Sequence, residues 1–290
     1  LLLHGTGGSS LAMLAPDFGG VLFGPGQPLD RSKYFIVMPD SIGHGGSAKP
    51  SDGLRARFPR YNYADMVDAQ YRLLREGLGI RHLRLVMGNS MGGMHAWLWG
   101  ARHPGAMDAL VPMACQPVAM SGRNWILRRL VAELIRNDPG YMDGDYSTQP
   151  RAARLASVFF GFATNGGTLA LQDAASTRAQ ADALLDEQLA AAFATDANDV
   201  IRQWEASRDF DPSADLGAIT AEVLAINSAD DERNPPETGA MELSMRHVKR
   251  GRSMLIPASV RTRGHATTWN ARWYATELAA LLDRAPRLPR

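Results

Sequence analysis

Leu83-Arg84-Leu85-Val86-Met87-Gly88-Asn89-Ser90-Met91-Gly92 is an apolar run that ends in a Gly-x-Ser-x-Gly turn and leads straight into a helical pattern, Met91–His103. A run without polar alternation suits a strand buried on both faces, as in a parallel sheet. Outward from it, comparable runs occur at Leu1–Leu3, Tyr34–Met38, Ala109–Met113, Val223–Ile226 and Ser253–Ile256. Helical patterns separate them at Tyr63–Leu78, Glu237–Lys249 and Thr267–Leu282. This alternation predicts an α/β fold, a mostly parallel sheet with helices on both faces.

The rhythm breaks between about Met120 and Asp215, where Ala, Arg and Gln dominate and helical spacing recurs at Trp125–Arg136, Arg151–Phe162, Ala179–Phe193 and Asn198–Ser207. We read residues 120–215 as a helical cap insertion into a core made of 1–119 and 216–290. A separate helical domain is the alternative; against it, the sheet pattern resumes at once afterwards.

Composition narrows the function. The 290 residues carry 31 Lys+Arg against 30 Asp+Glu, a net charge of +1, with the signs interspersed. Nucleic-acid binding calls for a basic stripe, which is missing. One cysteine, Cys115, excludes an intramolecular disulfide framework and a Cys-rich zinc site. No apolar run approaches the roughly 18–20 residues that span a bilayer. The chain opens at Leu1 without a Met, in what reads as a strand, so we expect upstream sequence to be missing and leave cytoplasmic or exported location open.

Ser90 is the candidate nucleophile. A serine hydroxyl reacts only when it is exposed, aimed and deprotonated by a neighbour, and a tight strand-to-helix turn does the aiming. Of seven histidines, His265 stands in the loop Arg263-Gly264-His265-Ala266-Thr267, after the last strand, where it can reach the carboxyl ends of the strands. His82, His95, His103 and His247 lie on or beside regular elements and read as partly exposed or packing residues. The base needs a carboxylate to orient it. Asp230 and Asp231 follow the strand Val223–Ile226, and only one of two neighbours can face the histidine; Asp231 is favoured. The Met91 amide, first of the following helix, would stabilise an oxyanion together with the Thr6 amide in His4-Gly5-Thr6-Gly7-Gly8. Phosphate loops, dinucleotide fingerprints and metal-ligand spacings are missing, so no cofactor is expected.

Together these residues resemble the α/β-hydrolase superfamily. Asp40-Ser41-Ile42-Gly43-His44-Gly45-Gly46-Ser47 is similar to its Asp-x-x-Gly-x-Gly-x-Ser turn, which implies a structural role for His44. The resemblance runs from Leu1 to Leu282 and begins at the family's third strand, implying two absent earlier strands. Ser90-Met91-Gly92-Gly93-Met94, Leu22-Phe23-Gly24-Pro25-Gly26 with Leu29-Asp30, and Arg123-Asn124-Trp125 with Asp138-Pro139 and Gly144-Asp145-Tyr146 resemble the homoserine O-acetyltransferase branch. In that branch the acid sits where Asp231 stands before Pro235-Pro236. Two positions depart from it. Ala266 replaces an aspartate that helps hold the substrate's amino group. Val158-Phe159-Phe160-Gly161-Phe162 replaces a Thr-Tyr-Arg stretch whose arginine engages the substrate carboxylate. A zwitterion would lose both partners.

The leading expectation is a serine hydrolase cleaving a carboxylic ester through an acyl-enzyme, with Phe159, Phe160, Phe162 and Trp125 shaping an apolar pocket or forming cap core. The alternative is an O-acyltransferase passing an acyl group to an alcohol, with acyl-CoA as co-substrate only in that case. A ligand receptor on the same scaffold ranks last. The partners expected are a small-molecule ester or acyl donor, with a homodimer left open.

Overall fold

The computed structural model describes residues 1–287. Five parallel strands form one sheet in chain order: β1 Leu2–Leu3, β2 Leu83–Asn89, β3 Met107–Met113, β4 Glu222–Ser228 and β5 Gly251–Ile256. The α-helices are α1 Gly19–Leu22, α2 Tyr63–Arg72, α3 Met91–Arg102, α4 Gly122–Arg136, α5 Arg151–Thr164, α6 Thr168–Ala174, α7 Arg178–Ala190, α8 Ala197–Glu205, α9 Ala240–Met245 and α10 Ala275–Arg284. Helices α4 to α8 all fall between β3 and β4, with no strand among them.

Alternate strand residues feed two cores. Leu3, Val86, Leu110 and Val223 pack with Met66 and Val67 of α2 and with Met94 and Trp97 of α3. Leu2, Leu85, Ala109 and Leu224 pack on the other face with Phe18, Leu22 and with Leu278 and Leu281 of α10. Both faces of the sheet are therefore covered, as unbroken apolar strands require. A third cluster, including Val131, Ile135, Phe160 and Ile201, holds α4, α5 and α8 together. Register pairs Leu3 with Gly88, Met113 with Ile226, and Ser228 with Ile256. The carboxyl ends thus line up on one rim, and the loops bearing Gly5–Gly8, Ser90 and Asp231 leave from it.

Three expectations about elements change. Tyr34–Met38 forms no strand: the Leu2 amide donates to Val37 O at 2.9 Å, but a two-residue β1 offers too short a ladder for more. Ile36 and Met38 still face one core and Val37 the other, which explains the apolar run. Glu237–Lys249 holds only a turn and α9, because Gly239 takes φ 64° and breaks it. Thr267–Leu282 begins as two tight turns, Gly264–Trp269 and Ala271–Trp273, before α10. Among the described residues no helix is long and apolar enough to cross a membrane.

Candidate active site

The turn after β2 is held in a conformation that few side chains accept. Ser90 sits at φ 56°, ψ −114°, the positive-φ region where an L-residue is strained. Its amide donates to Met113 O at 2.8 Å, tying the turn to β3. The flanking glycines let three backbones meet. A Cβ at Gly88 would lie 2.1 Å from Gly92 O, and one at Gly92 would lie 2.1 Å from Leu3 O. Rigid backbone on the other side cannot yield, so Gly92→Ala is expected to cost about 3 kcal/mol by overpacking. Thermal unfolding measures it, and a Tm equal to that of the parent would contradict the packing described.

Two loops on the same rim complete the arrangement. The Ser90 hydroxyl donates to His265 Nε2 at 2.8 Å, and His265 Nδ1–H donates to Asp231 Oδ2 at 2.9 Å. Asn234 Nδ2 also donates to Asp231 Oδ2, at 2.9 Å, and the Arg233 amide donates to Oδ1 at 2.8 Å. Asp230 points elsewhere: its carboxylate accepts from Ser228 Oγ and from Thr262 Oγ1, bracing the two loops against each other. The His265 amide donates to Asn165 O at 2.6 Å, so the chain between α5 and α6 holds the loop that carries the imidazole.

Electrostatics keep the two partners in their working states. Burial opposes charge on Asp231, but the His265 ring and three hydrogen bonds outweigh it and hold the carboxyl below its usual range. For His265, burial dominates, Asp231 pulls back, and Arg233 and Arg128 push the same way as burial. The imidazole titrates below 6.5 and is neutral at pH 7, so Nε2 is free to accept a proton.

Ser90 and His265 open on a cavity of about 490 Å³ walled by Gly5–Gly8, Phe160, Gln203, Trp204, Arg233 and Trp269. Thr6 is in that wall, its carbonyl 2.9 Å from His44 Nε2, while His44 Nδ1 faces Ile42 O at 3.0 Å. His44 thus braces the Gly-rich loop. Met91 is the first residue of α3, directly beside Ser90. A second cavity of about 520 Å³ adjoins the first, sharing Ser157, Gly161 and Phe193.

The four aromatics named from the sequence separate. Phe160 lines the serine's cavity, and Phe162 lines the adjoining one. Phe159 and Trp125 line neither, and Phe159 is 52% exposed. Consecutive helical residues are about 100° apart, so a cluster of phenylalanines on α5 cannot all face one space. Trp269, Trp204 and Gln203 were missed because they come from distant segments. Arg233 was missed although it lies two residues past Asp231 in the same loop; that adjacency was the available signal.

Of the remaining histidines His247 is exposed, and the others are packed or paired. His95 is fully buried against Tyr63, His103 stacks on Tyr71 at 3.9 Å, and His82 Nε2 lies 2.7 Å from Asp108. His4 Nε2 accepts from the Ser41 amide at 3.0 Å. Among the described residues, no group of three or more His, Cys, Asp or Glu is placed to hold a metal ion.

Comparison with known proteins agrees with this architecture. The chain is 31% identical over 248 residues to a probable acyltransferase of Methanothermobacter thermautotrophicus, covering 84% of this chain and 73% of that one. It is 39% identical over 145 residues to a homoserine O-acetyltransferase of Thermobifida fusca, covering 47% of this chain but only 37% of the relative's length. Among solved structures, an acetylester hydrolase from Corynebacterium glutamicum superposes with a TM-score of 0.81 at 22% identity, over 97% of this chain and 85% of that one. The family model for the alpha/beta hydrolase fold matches residues 1–243. A parallel sheet covered on both faces, carrying a strained serine turn on its carboxyl rim, is the same fold seen from the residues upward, and the chain belongs to the α/β-hydrolase family.

Proposed function

We propose that the protein is a serine-nucleophile enzyme that cleaves a carboxylic ester through an acyl-enzyme. The observation that carries this reading is the unbroken hydrogen-bonded relay Ser90–His265–Asp231 beside a cavity. Ser90 Oγ attacks the carbonyl carbon while His265 Nε2 takes its proton. The oxyanion forms against the Met91 and Thr6 amides, where preorganised donors act without reorganising. His265 then returns the proton to the leaving alcohol, and Asp231 holds the imidazolium meanwhile. Water, activated by the same imidazole, releases the acid and restores Ser90. Residues 120–215 serve as the cap of this reaction chamber, since Ser157, Phe160 and Trp204 from that segment line the serine's cavity.

Acyl transfer is the second reading, supported by the acyltransferase names among the relatives. It shares the first half-reaction and differs only in the acceptor. Acetate release from p-nitrophenyl acetate, measured with and without added homoserine or simple alcohols, decides between them. Hydrolysis predicts release of acetate that is insensitive to the alcohol. Transfer predicts diversion of the acetyl group onto it. Homoserine-dependent consumption of acetyl-CoA would reverse the ranking.

The pH profile provides a further check. Only neutral His265 can accept the Ser90 proton, so kcat/KM should be level near neutrality and fall about tenfold per pH unit in acid. Because His265 titrates below 6.5, the midpoint of that fall should lie below 6.5. An acid limb centred above pH 7 would contradict the assignment of the base.

A further inference from the structure

We propose that Arg233 is a substrate-recognition residue, and that the cavity beside Ser90 selects esters carrying a free carboxylate and no ammonium group. The inference rests on the reading above for what Ser90 does, while the anion site is read from the cavity wall itself.

Arg233 lines the cavity that opens on Ser90 and His265. Its Nε donates to Thr164 Oγ1 at 3.0 Å, and its guanidinium lies 4.6 Å over the Phe160 ring. These contacts fix the plane of the fork. The two terminal nitrogens donate to no described residue, and Arg233 forms no ion pair among the described residues. Burial brings its pKa down to about 10, with Arg128 pushing the same way, so it remains charged at neutral pH.

The surroundings add positive charge rather than balance it. Arg128 is buried behind the same wall, 4.8 Å over Trp204, and its hydrogen bonds go to the uncharged Asn124, Ser207 and Tyr63. One of its terminal nitrogens, Nη2, is buried without a partner. Asp231 is the carboxylate whose charge reaches Arg233, and it already serves His265. Arginines Arg154 and Arg263 line the adjoining cavity, where their hydrogen bonds go to backbone carbonyls. Among the described residues, no aspartate or glutamate lines either cavity.

Arg233 is half-buried, and a guanidinium with both terminal nitrogens open to a cavity matches a carboxylate in two parallel hydrogen bonds. An ammonium group would meet only like charge. The sequence reading found no charge for a zwitterion at Ala266 or Val158–Phe162; the structure supplies one, from another loop and of one sign only. The carboxylate can belong to the acyl group or to the alcohol, since the recognition chemistry is the same.

The test compares kcat/KM for p-nitrophenyl hemisuccinate against p-nitrophenyl acetate, and for para-acetoxybenzoate against phenyl acetate. The first pair puts the carboxylate on the acyl side and the second on the alcohol side. In at least one pair the anionic ester should be favoured about 10- to 100-fold, as expected for hydrogen bonds to a charged group, with the gain in KM. Arg233→Gln should bring that ratio to about one, and Arg233→Lys should restore part of it. Each ratio is taken within one protein, so a general loss of active enzyme cancels. A parent enzyme that does not prefer the anion in either pair overturns the proposal, as does a preference unchanged in Arg233→Gln.

Glutarate and benzoate are tested in parallel for their effect on Tm. Ester turnover without carboxylate preference would leave the hydrolytic reading intact and remove the anion site. No turnover of any ester, with glutarate raising the Tm of the parent but not of Arg233→Gln, would do the reverse. Neither turnover nor a Tm shift would sink both.

Discussion

Ser90→Ala is expected to lower kcat for ester cleavage by about 10⁴- to 10⁶-fold and to abolish covalent labelling by a fluorophosphonate probe. The size follows from what is removed. Without the oxygen no acyl-enzyme forms, and His265 can at best activate water in a site arranged for a different attack. The fold should survive, because the alanine relieves none of the contacts that hold φ at 56° and adds no atom to a turn already short of space. Unchanged circular dichroism with lost labelling is the expected pair of results. Stoichiometric labelling of another residue in Ser90→Ala would remove Ser90 from the role of nucleophile.

Asp231→Asn should lower kcat by up to about 10⁴-fold. Asp231 Oδ2 accepts from both His265 and Asn234, and Oδ1 accepts from the Arg233 amide. An amide nitrogen at either position therefore faces a donor. With the nitrogen at the Oδ2 position, the clash with the ring is relieved when His265 shifts its proton to Nε2, and that nitrogen can then no longer take one from Ser90. Asp230→Asn should cost less than about tenfold in kcat and show its effect in stability, because its partners are the hydroxyls of Ser228 and Thr262, which can also donate to an amide oxygen. Steady-state kinetics on the two variants side by side checks this; a crippled Asp230→Asn with a near-normal Asp231→Asn would exchange their roles.

The parts of this site that could be read from the sequence are those set by local backbone chemistry. Gly88 and Gly92 bracket Ser90 because backbones touch there, and that requirement shows as glycine spacing. His265 and Asp231 follow strands at their carboxyl ends, so sheet topology alone brings them to the rim. Choosing Asp231 over its neighbour was harder, since a one-residue difference reverses which side chain turns inward. The cavity wall was much less legible. It is built from Gly5–Gly8, α5, α8 and the loop after β4, whose mutual placement no local pattern encodes. Phe159 and Phe160 look alike in sequence and point to opposite environments. Arg233 reads as one charge in an acidic turn, and the role proposed for it rests on its having no ion pair among the described residues, which is a three-dimensional property.

The 2.6 Å bond from the His265 amide to Asn165 O has a practical consequence. If residues 120–215 are the cap and His265 the base, as proposed, roof and proton acceptor are joined at that carbonyl, so swinging the whole helical segment aside would drag the imidazole out of register. Traffic of reactants would then use gaps in the wall while this junction stays shut. Grafting a foreign roof onto the sheet would accordingly succeed or fail at residues 165–167, well before the shape of the new chamber came into play.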